Sequence, residues 1–237
     1  MTDVMTATFV DAEKRPLSFE QAAPAMKAAL SNQLGHDPSD EVLALALAKT
    51  ALETGRWQSM WNDNWGNIKA GIAYVGMYTA FACNEVLNGV LTWFSPKGRL
   101  DHQGGTVIAE WYDAEPWHPQ TRFRAYANEF DGCYSYVDLI STGRYKVAWA
   151  MLLSGSVTGF VHELKIAGYF TADEGLYLKG VQGLYNEMLA RVKGLPSEQH
   201  VPDGDHDFAA VLATIKGDQF AHVNDGDDRD QHPFQDA

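Results

Sequence analysis

Apolar positions recur at helical spacing over residues 18–34, S-F-E-Q-A-A-P-A-M-K-A-A-L-S-N-Q-L, where Phe19, Ala22, Ala23, Met26, Leu30 and Leu34 share a face and Ser18 is placed as N-cap. Gly35 ends this helix. D-P-S-D-E-V-L then offers Ser39 or Asp40 as the cap of a second helix, in which Val42, Leu43, Leu45, Ala46, Leu47, Ala48 and Leu52 are apolar nearly all round. A helix of that kind is expected to be central and buried. From Ala73 to Trp93 the pattern changes to aromatic and β-branched residues, and Asn88-Gly89 between E-V-L and V-L-T-W-F predicts a two-residue hairpin. Residues 95–120 hold three prolines and three glycines around one strand-like piece, T-V-I-A-E-W-Y, and read as a hairpin extension or inserted loop. F-R-A-Y at 123–126 predicts a further strand. Helical patterns return at about 131–139, 147–153, 157–167 and 173–192, with Gly168 breaking the third.

The fold class expected is therefore α+β and mainly α, with one β-rich segment at about 73–126 enclosed by helices. Domain organisation is read as one globular unit over 1–195 and an acidic tail over 196–237. Of the formal net charge of -13, the tail carries -8, and its composition shifts to Asp, His and Gly apart from one amphipathic piece, F-A-A-V-L-A-T-I-K, at 208–216. D-G-D-H-D at 203–207 lacks the glycine and distal glutamate of a calcium loop, so it reads as solvated charge.

Such a charge argues against nucleic acid or an anionic membrane surface as the main partner. With 46% hydrophobic and 12% aromatic residues the chain has the composition of a folded globular protein, and it has no apolar run long enough to cross a bilayer. The first residues, M-T-D-V-M-T-A-T-F-V, lack a signal peptide's basic start and apolar core, so synthesis in the cytoplasm is expected. Cys83 and Cys133 are the only cysteines; they form no zinc-binding pair and leave a single bridge open. No metal or other cofactor is implied.

Candidate chemistry begins at A-L-E-T-G, residues 51–55. Gly55 supplies a left-handed helix end, which puts Glu53 in the last turn of the buried helix, where the macrodipole is negative and water scarce. Both effects disfavour the carboxylate and favour the protonated form that a general acid uses. A helix-end glutamate reaching solvent or pairing with Arg56 is the plainer alternative. Downstream, W-Q-S-M-W-N-D-N-W-G-N-I-K-A spaces Trp57, Trp61 and Trp65 by four and intersperses asparagines, a mixture read as a loop suited to sugar hydroxyls and ring faces, or as a core stripe.

Four segments, A-L-E-T-G at 51–55, N-W-G-N-I-K-A at 64–70, F-R-A-Y at 123–126 and A-G-Y-F-T-A-D-E-G-L-Y at 167–177, together resemble the β-N-acetylglucosaminidases of glycoside hydrolase family 73. The resemblance covers about residues 40–192 and implies a lysozyme-like helical body with a small β-hairpin lobe beside a cleft. It further implies cleavage of the bond between N-acetylglucosamine and N-acetylmuramic acid in peptidoglycan glycan strands. By motif match, Glu53 stands for the general acid, Glu85 for the second acid on the β-lobe, and Tyr169 for a catalytic tyrosine at the cleft. Trp57, Trp61, Asn64, Trp65, Asn67 and Tyr177 are expected to contact substrate. The segment at 95–120 is longer than the family's hairpin, which makes Glu110, and after it Glu115, rivals to Glu85. His162, without a partner at ligand spacing, reads as structural.

Hydrolysis through an oxocarbenium-like state would pair Glu53 as proton donor with a second carboxylate that activates water, stabilises the cation or attacks it. The substrate's own acetamido group is a further route. A muramidase or lytic transglycosylase on the same body, and a glycan-binding or assembly protein without activity, are the alternatives. Lack of an export signal favours a phage-encoded or virion-associated wall hydrolase.

Overall fold

The computed structural model describes residues 7–87, 90–94, 106–107 and 119–194, with the backbone alone for 84–87, 90–93 and 106–107. The tail from 195 onward, the hairpin residues 88–89, and Glu110 and Glu115 lie outside the described residues.

The elements follow the expected order. Strand β1 (Thr8–Phe9) precedes helices α1 (Phe19–Leu34) and α2 (Asp40–Thr54); strands β2 (Met77–Ala80), β3 (Cys83–Leu87), β4 (Val90–Phe94), β5 (Thr106–Val107) and β6 (Arg122–Arg124) follow, and then helices α3 (Glu129–Ser141), α4 (Lys146–Leu153), α5 (Val157–Ile166) and α6 (Glu174–Val192). The architecture is α+β and mainly helical.

Every residue of α2 from Val42 to Thr54 is buried, which its apolar sequence requires: no face of it can be left to water without loss. Leu45, Leu47 and Leu52 are each fully buried, worth about 1.5–3 kcal/mol apiece. Ser39 Oγ caps the start by accepting from Val42 N at 3.3 Å, and Asp40 and Glu41 complement the positive end of the helix. Gly55, at φ 58°, ends it in the left-handed region. Helix α6 packs along α2, α1 packs on α3, and α4 on α5.

Two three-stranded sheets form the β portion. In one, β2 lies between β1, to which it is parallel, and β6, to which it is antiparallel. In the other, β4 lies between antiparallel β3 and parallel β5, with Leu87 opposite Val90, the register of a two-residue connection. Of the expected strand T-V-I-A-E-W-Y, Thr106 and Val107 are described.

Between α2 and β2 the chain takes five left-handed non-glycine conformations, at Arg56, Trp57, Asn62, Asp63 and Asn67. Each costs on the order of 1 kcal/mol or more, least at Asn and Asp, so surrounding contacts must hold them. The arm before α1 supplies several. Asn62 Nδ2 donates to Asp11 O at 2.9 Å and its Oδ1 accepts from Glu13 N at 3.0 Å, while Arg15 Nη1 donates to Asp63 Oδ2 at 2.6 Å. Neither β1 nor this arm has a pattern in the sequence that announces it.

Helix α3 approaches the same segment so closely that a Cβ on Gly132 would lie 1.8 Å from Asp63 O. Gly132→Ala is therefore expected to cost about 1–3 kcal/mol or more by overpacking, a fall of several degrees in Tm. Gly183→Ala, on α6 with nothing within 4 Å of the added carbon, is expected to raise stability by about 0.5–1 kcal/mol. Paired thermal melts check both signs.

Candidate active site

Glu53 occupies the last turn of α2, and its side chain retains 3% exposure. Its Oε1 receives two charge-bearing or buried donors: Lys49 Nζ at 2.5 Å, one turn earlier on the same helix, and Tyr177 OH at 2.6 Å from α6. Oε2 takes no hydrogen bond from the described residues. The backbone carbonyl of Glu53 accepts from Asn67 Nδ2 at 2.8 Å, which closes the open end of α2. Arg56, the alternative partner read from sequence, instead pairs with Glu187 on α6.

Lys49 is fully buried in a helix that carries no charge between its first turn and Glu53 other than this one, and the sequence reading missed it. The signal was present as a lone lysine and a lone glutamate four residues apart in an apolar helix, which places both on one face. Its ammonium lies 3.8 Å from the centroid of the Tyr169 ring and about 6 Å from those of Tyr136 and Tyr177. Burial pushes the Lys49 pKa down, against the pull of the Glu53 carboxylate. Burial, with the charge of Glu53 next, pushes the phenols of Tyr136, Tyr169 and Tyr177 well above the ordinary range, so all three are neutral.

The two tyrosines of A-G-Y-F-T-A-D-E-G-L-Y divide their work differently from expectation. Tyr177 OH, not Tyr169 OH, meets the acid, and its ring stacks on Phe170 at 3.8 Å between centroids. Tyr169 OH donates to Gly66 O at 3.0 Å and its face carries Lys49. Gly66 has no room for a side chain: a Cβ there would sit 2.7 Å from Tyr169 Oη and 2.8 Å from Tyr136 Cδ2. The glycine of N-W-G-N is required by this close approach.

Three of the residues expected to contact substrate, Trp57, Asn64 and Trp65, are instead buried. Trp57 is 2% exposed and donates through Nε1 to Thr50 Oγ1; Trp65 is fully buried and donates to Glu129 O; their rings pack 6.4 Å apart. Both sit in the core, with their indole N–H groups paired. Asn64 is also buried, with Nδ2 shared between Ile68 O and Arg124 O and Oδ1 accepting from Ile68 N, so it builds the turn. Trp61 is different. It is half-buried, and its ring lies 5.7 Å from that of half-buried Phe81, which stacks on Phe123 at 4.2 Å. Phe81 was not singled out from sequence. Asn67 is half-buried as well, at the edge of the Glu53 carbonyl.

Glu85 stands in β3 opposite Thr92. His162 is exposed and pairs with Glu174 through Nδ1 at 2.9 Å. Cys83 and Cys133 are both buried free thiols, so the bridge left open is not formed. Among the described residues no cluster of ligands for a metal is present, and no helix is long and apolar enough to cross a membrane.

No protein-family model and no curated relative matches the chain. Among solved structures it is similar to a peptidoglycan hydrolase mutant from Sphingomonas sp. A1, at 21% identity and TM-score 0.49, over 74% of this chain and 96% of that one. It is also similar to a C-terminally truncated glycoside hydrolase domain from Salmonella typhimurium FlgJ, at 19% identity and TM-score 0.42, over 75% of this chain and 96% of that one.

Tyr177→Phe keeps the stacked ring and removes a buried donor to a carboxylate, so it is expected to cost about 1.5–3 kcal/mol. Tyr169→Phe removes a donor to a neutral carbonyl and should cost about 0.5–1.5 kcal/mol. Urea denaturation of the two variants beside the parent gives the order.

Proposed function

We propose that the protein is a peptidoglycan hydrolase, an endo-β-N-acetylglucosaminidase in which Glu53 donates a proton to the glycosidic oxygen between N-acetylglucosamine and N-acetylmuramic acid. The observation that carries this reading is the way the four motif segments meet. A-L-E-T-G is tied to N-W-G-N-I-K-A by Asn67 Nδ2 on Glu53 O, and that segment to F-R-A-Y by Asn64 Nδ2 on Arg124 O and Arg124 N on Ile68 O. A-G-Y-F-T-A-D-E-G-L-Y closes the set through Tyr169 on Gly66 O and Tyr177 on Glu53 Oε1. Segments scattered over more than a hundred residues are thus tied by hydrogen bonds into one assembly around Glu53, of which Tyr177 touches the carboxyl group itself.

In this reading Oε2, the oxygen left without a hydrogen bond, faces the leaving group. A second carboxylate comes from the β-lobe, at Glu85 or, on the inserted segment, Glu110. It activates water or stabilises the oxocarbenium-like cation. Trp61 and Phe81 offer partly exposed ring faces for a sugar, and Asn67 an amide oxygen beside the acid. The reaction draws on carboxyl chemistry alone and calls for no cofactor.

Glu53→Gln, confirmed folded by circular dichroism, is expected to release fragments from purified peptidoglycan at least about 100-fold more slowly than the parent, the lower range for loss of a general acid. Mass spectrometry of the parent's digest should show reducing-end N-acetylglucosamine. Reducing-end or anhydro-muramic acid would reassign the protein to a muramidase or lytic transglycosylase, and turnover by folded Glu53→Gln close to the parent's would remove the acid from the account. Loss on Glu110→Gln with retention on Glu85→Gln would assign the second role to the inserted segment.

A further inference from the structure

We propose that Lys49 is a positioning residue for the acid, fixing the Glu53 carboxyl so that Oε2 is presented and stabilising the carboxylate that forms as the proton leaves. The inference rests on the reading of Glu53 as the proton donor and goes beyond it. No packing argument accounts for Lys49. Burying an ammonium costs several kcal/mol even after relaxation, and an apolar side chain of similar volume would fill the same space without that cost. Among the described residues Glu53 Oε1 is its single hydrogen-bond acceptor, and the face of Tyr169, 3.8 Å away, is its other support.

The geometry explains what such a cation does. Lys49 and Tyr177 reach Oε1 from two helices, so the carboxyl plane is held by two donors that leave Oε2 free. As the proton passes from Glu53 to the glycosidic oxygen, one O–H bond breaks, one forms on the leaving oxygen, and negative charge appears on the carboxyl group. The ammonium is already in place and needs no reorganisation, so it stabilises that charge as it develops.

The groups that face the carboxyl group are Lys49 on its own helix, Tyr177 on α6, Tyr169 after α5 and Tyr136 on α3, and the three phenols are neutral. Among the described residues Tyr136 OH, which is buried, has no hydrogen-bond partner. Lys49 is accordingly the one charged group among the described residues packed on the acid, and its removal should be read in the pH profile.

The experiment compares pH–rate profiles for fragment release from purified peptidoglycan by the parent, Lys49→Met and Lys49→Gln, with kcat and KM separated on soluble glycan fragments. Both variants are expected to move the alkaline limb of the profile upward by about one unit or more. Each should lower kcat about tenfold with KM within about twofold of the parent, Lys49→Gln less severely because its amide can still donate to Oε1. Should Lys49→Met fail to fold, the shorter, polar Lys49→Gln carries the test. Limbs that coincide with the parent's in a folded variant overturn the proposal, since a purely structural lysine would change yield or melting and leave the limb in place. Glu53→Gln run alongside separates the two failures: an active Glu53→Gln removes the acid itself, whereas an inactive one with unmoved lysine-variant limbs removes Lys49 alone. A parent protein that releases no fragment at any pH overturns both.

Discussion

A lysine and a glutamate one turn apart, sealed inside a helix buried at every position from Val42 to Thr54, are the constraint around which the rest is arranged. Lys49 is fully buried and Glu53 nearly so, and two ionisable groups in that position hold together only if each is the other's partner. The surroundings reflect this. Three neutral tyrosines form the walls, one donating to the carboxylate and one offering its ring face to the ammonium, and among the described residues no second acceptor competes for the ammonium. Because α2 supplies the pair and α6 the phenol, the packing of these two helices sets the site's dimensions directly.

The strained segment after α2 has the same purpose. Left-handed conformations at Arg56 and Trp57 turn the chain back sharply, which drives the two indoles into the core and brings Asn67 under the end of the helix. Thr54 Oγ1 secures the turn by accepting from Trp57 N at 3.1 Å. Further along, Asn62 and Asp63 are held by the arm before α1, so a segment with no regular structure is fixed at both ends. Local strain is met by specific hydrogen bonds here, and the product is a rigid floor for the carboxyl group.

Helix positions were readable because caps and glycines announce them: Ser39 before α2, Gly55 after it, Asp173 before α6. The carboxyl group at the end of α2 was readable for the same reason. What surrounds it was not. Periodicity cannot say whether Trp57 and Trp65 face solvent or core, since the answer depends on a loop with positive φ values at Arg56, Trp57, Asn62, Asp63 and Asn67, which residues other than glycine rarely adopt. Nor can it choose between Tyr169 and Tyr177, eight residues apart, when one precedes a helix and the other lies within its first turns. The arm at 7–17 acts through backbone groups and short polar side chains that leave no pattern to detect.

The proton balance of the acid shows most clearly where a sequence argument stops. The burial of the acid and its place at the negative end of the helix were both legible in A-L-E-T-G. The ammonium 2.5 Å away lies only one helical turn upstream in K-T-A-L-E, yet it matters only because burial is complete. In water the same i,i+4 pair would be worth a few tenths of a kcal/mol. Inside this helix both the attraction of the pair and the cost of removing it from water grow, because the local dielectric falls. The character of the site therefore depends on two adjacent turns at once, and the side chains that couple them are the buried tyrosines that keep water away.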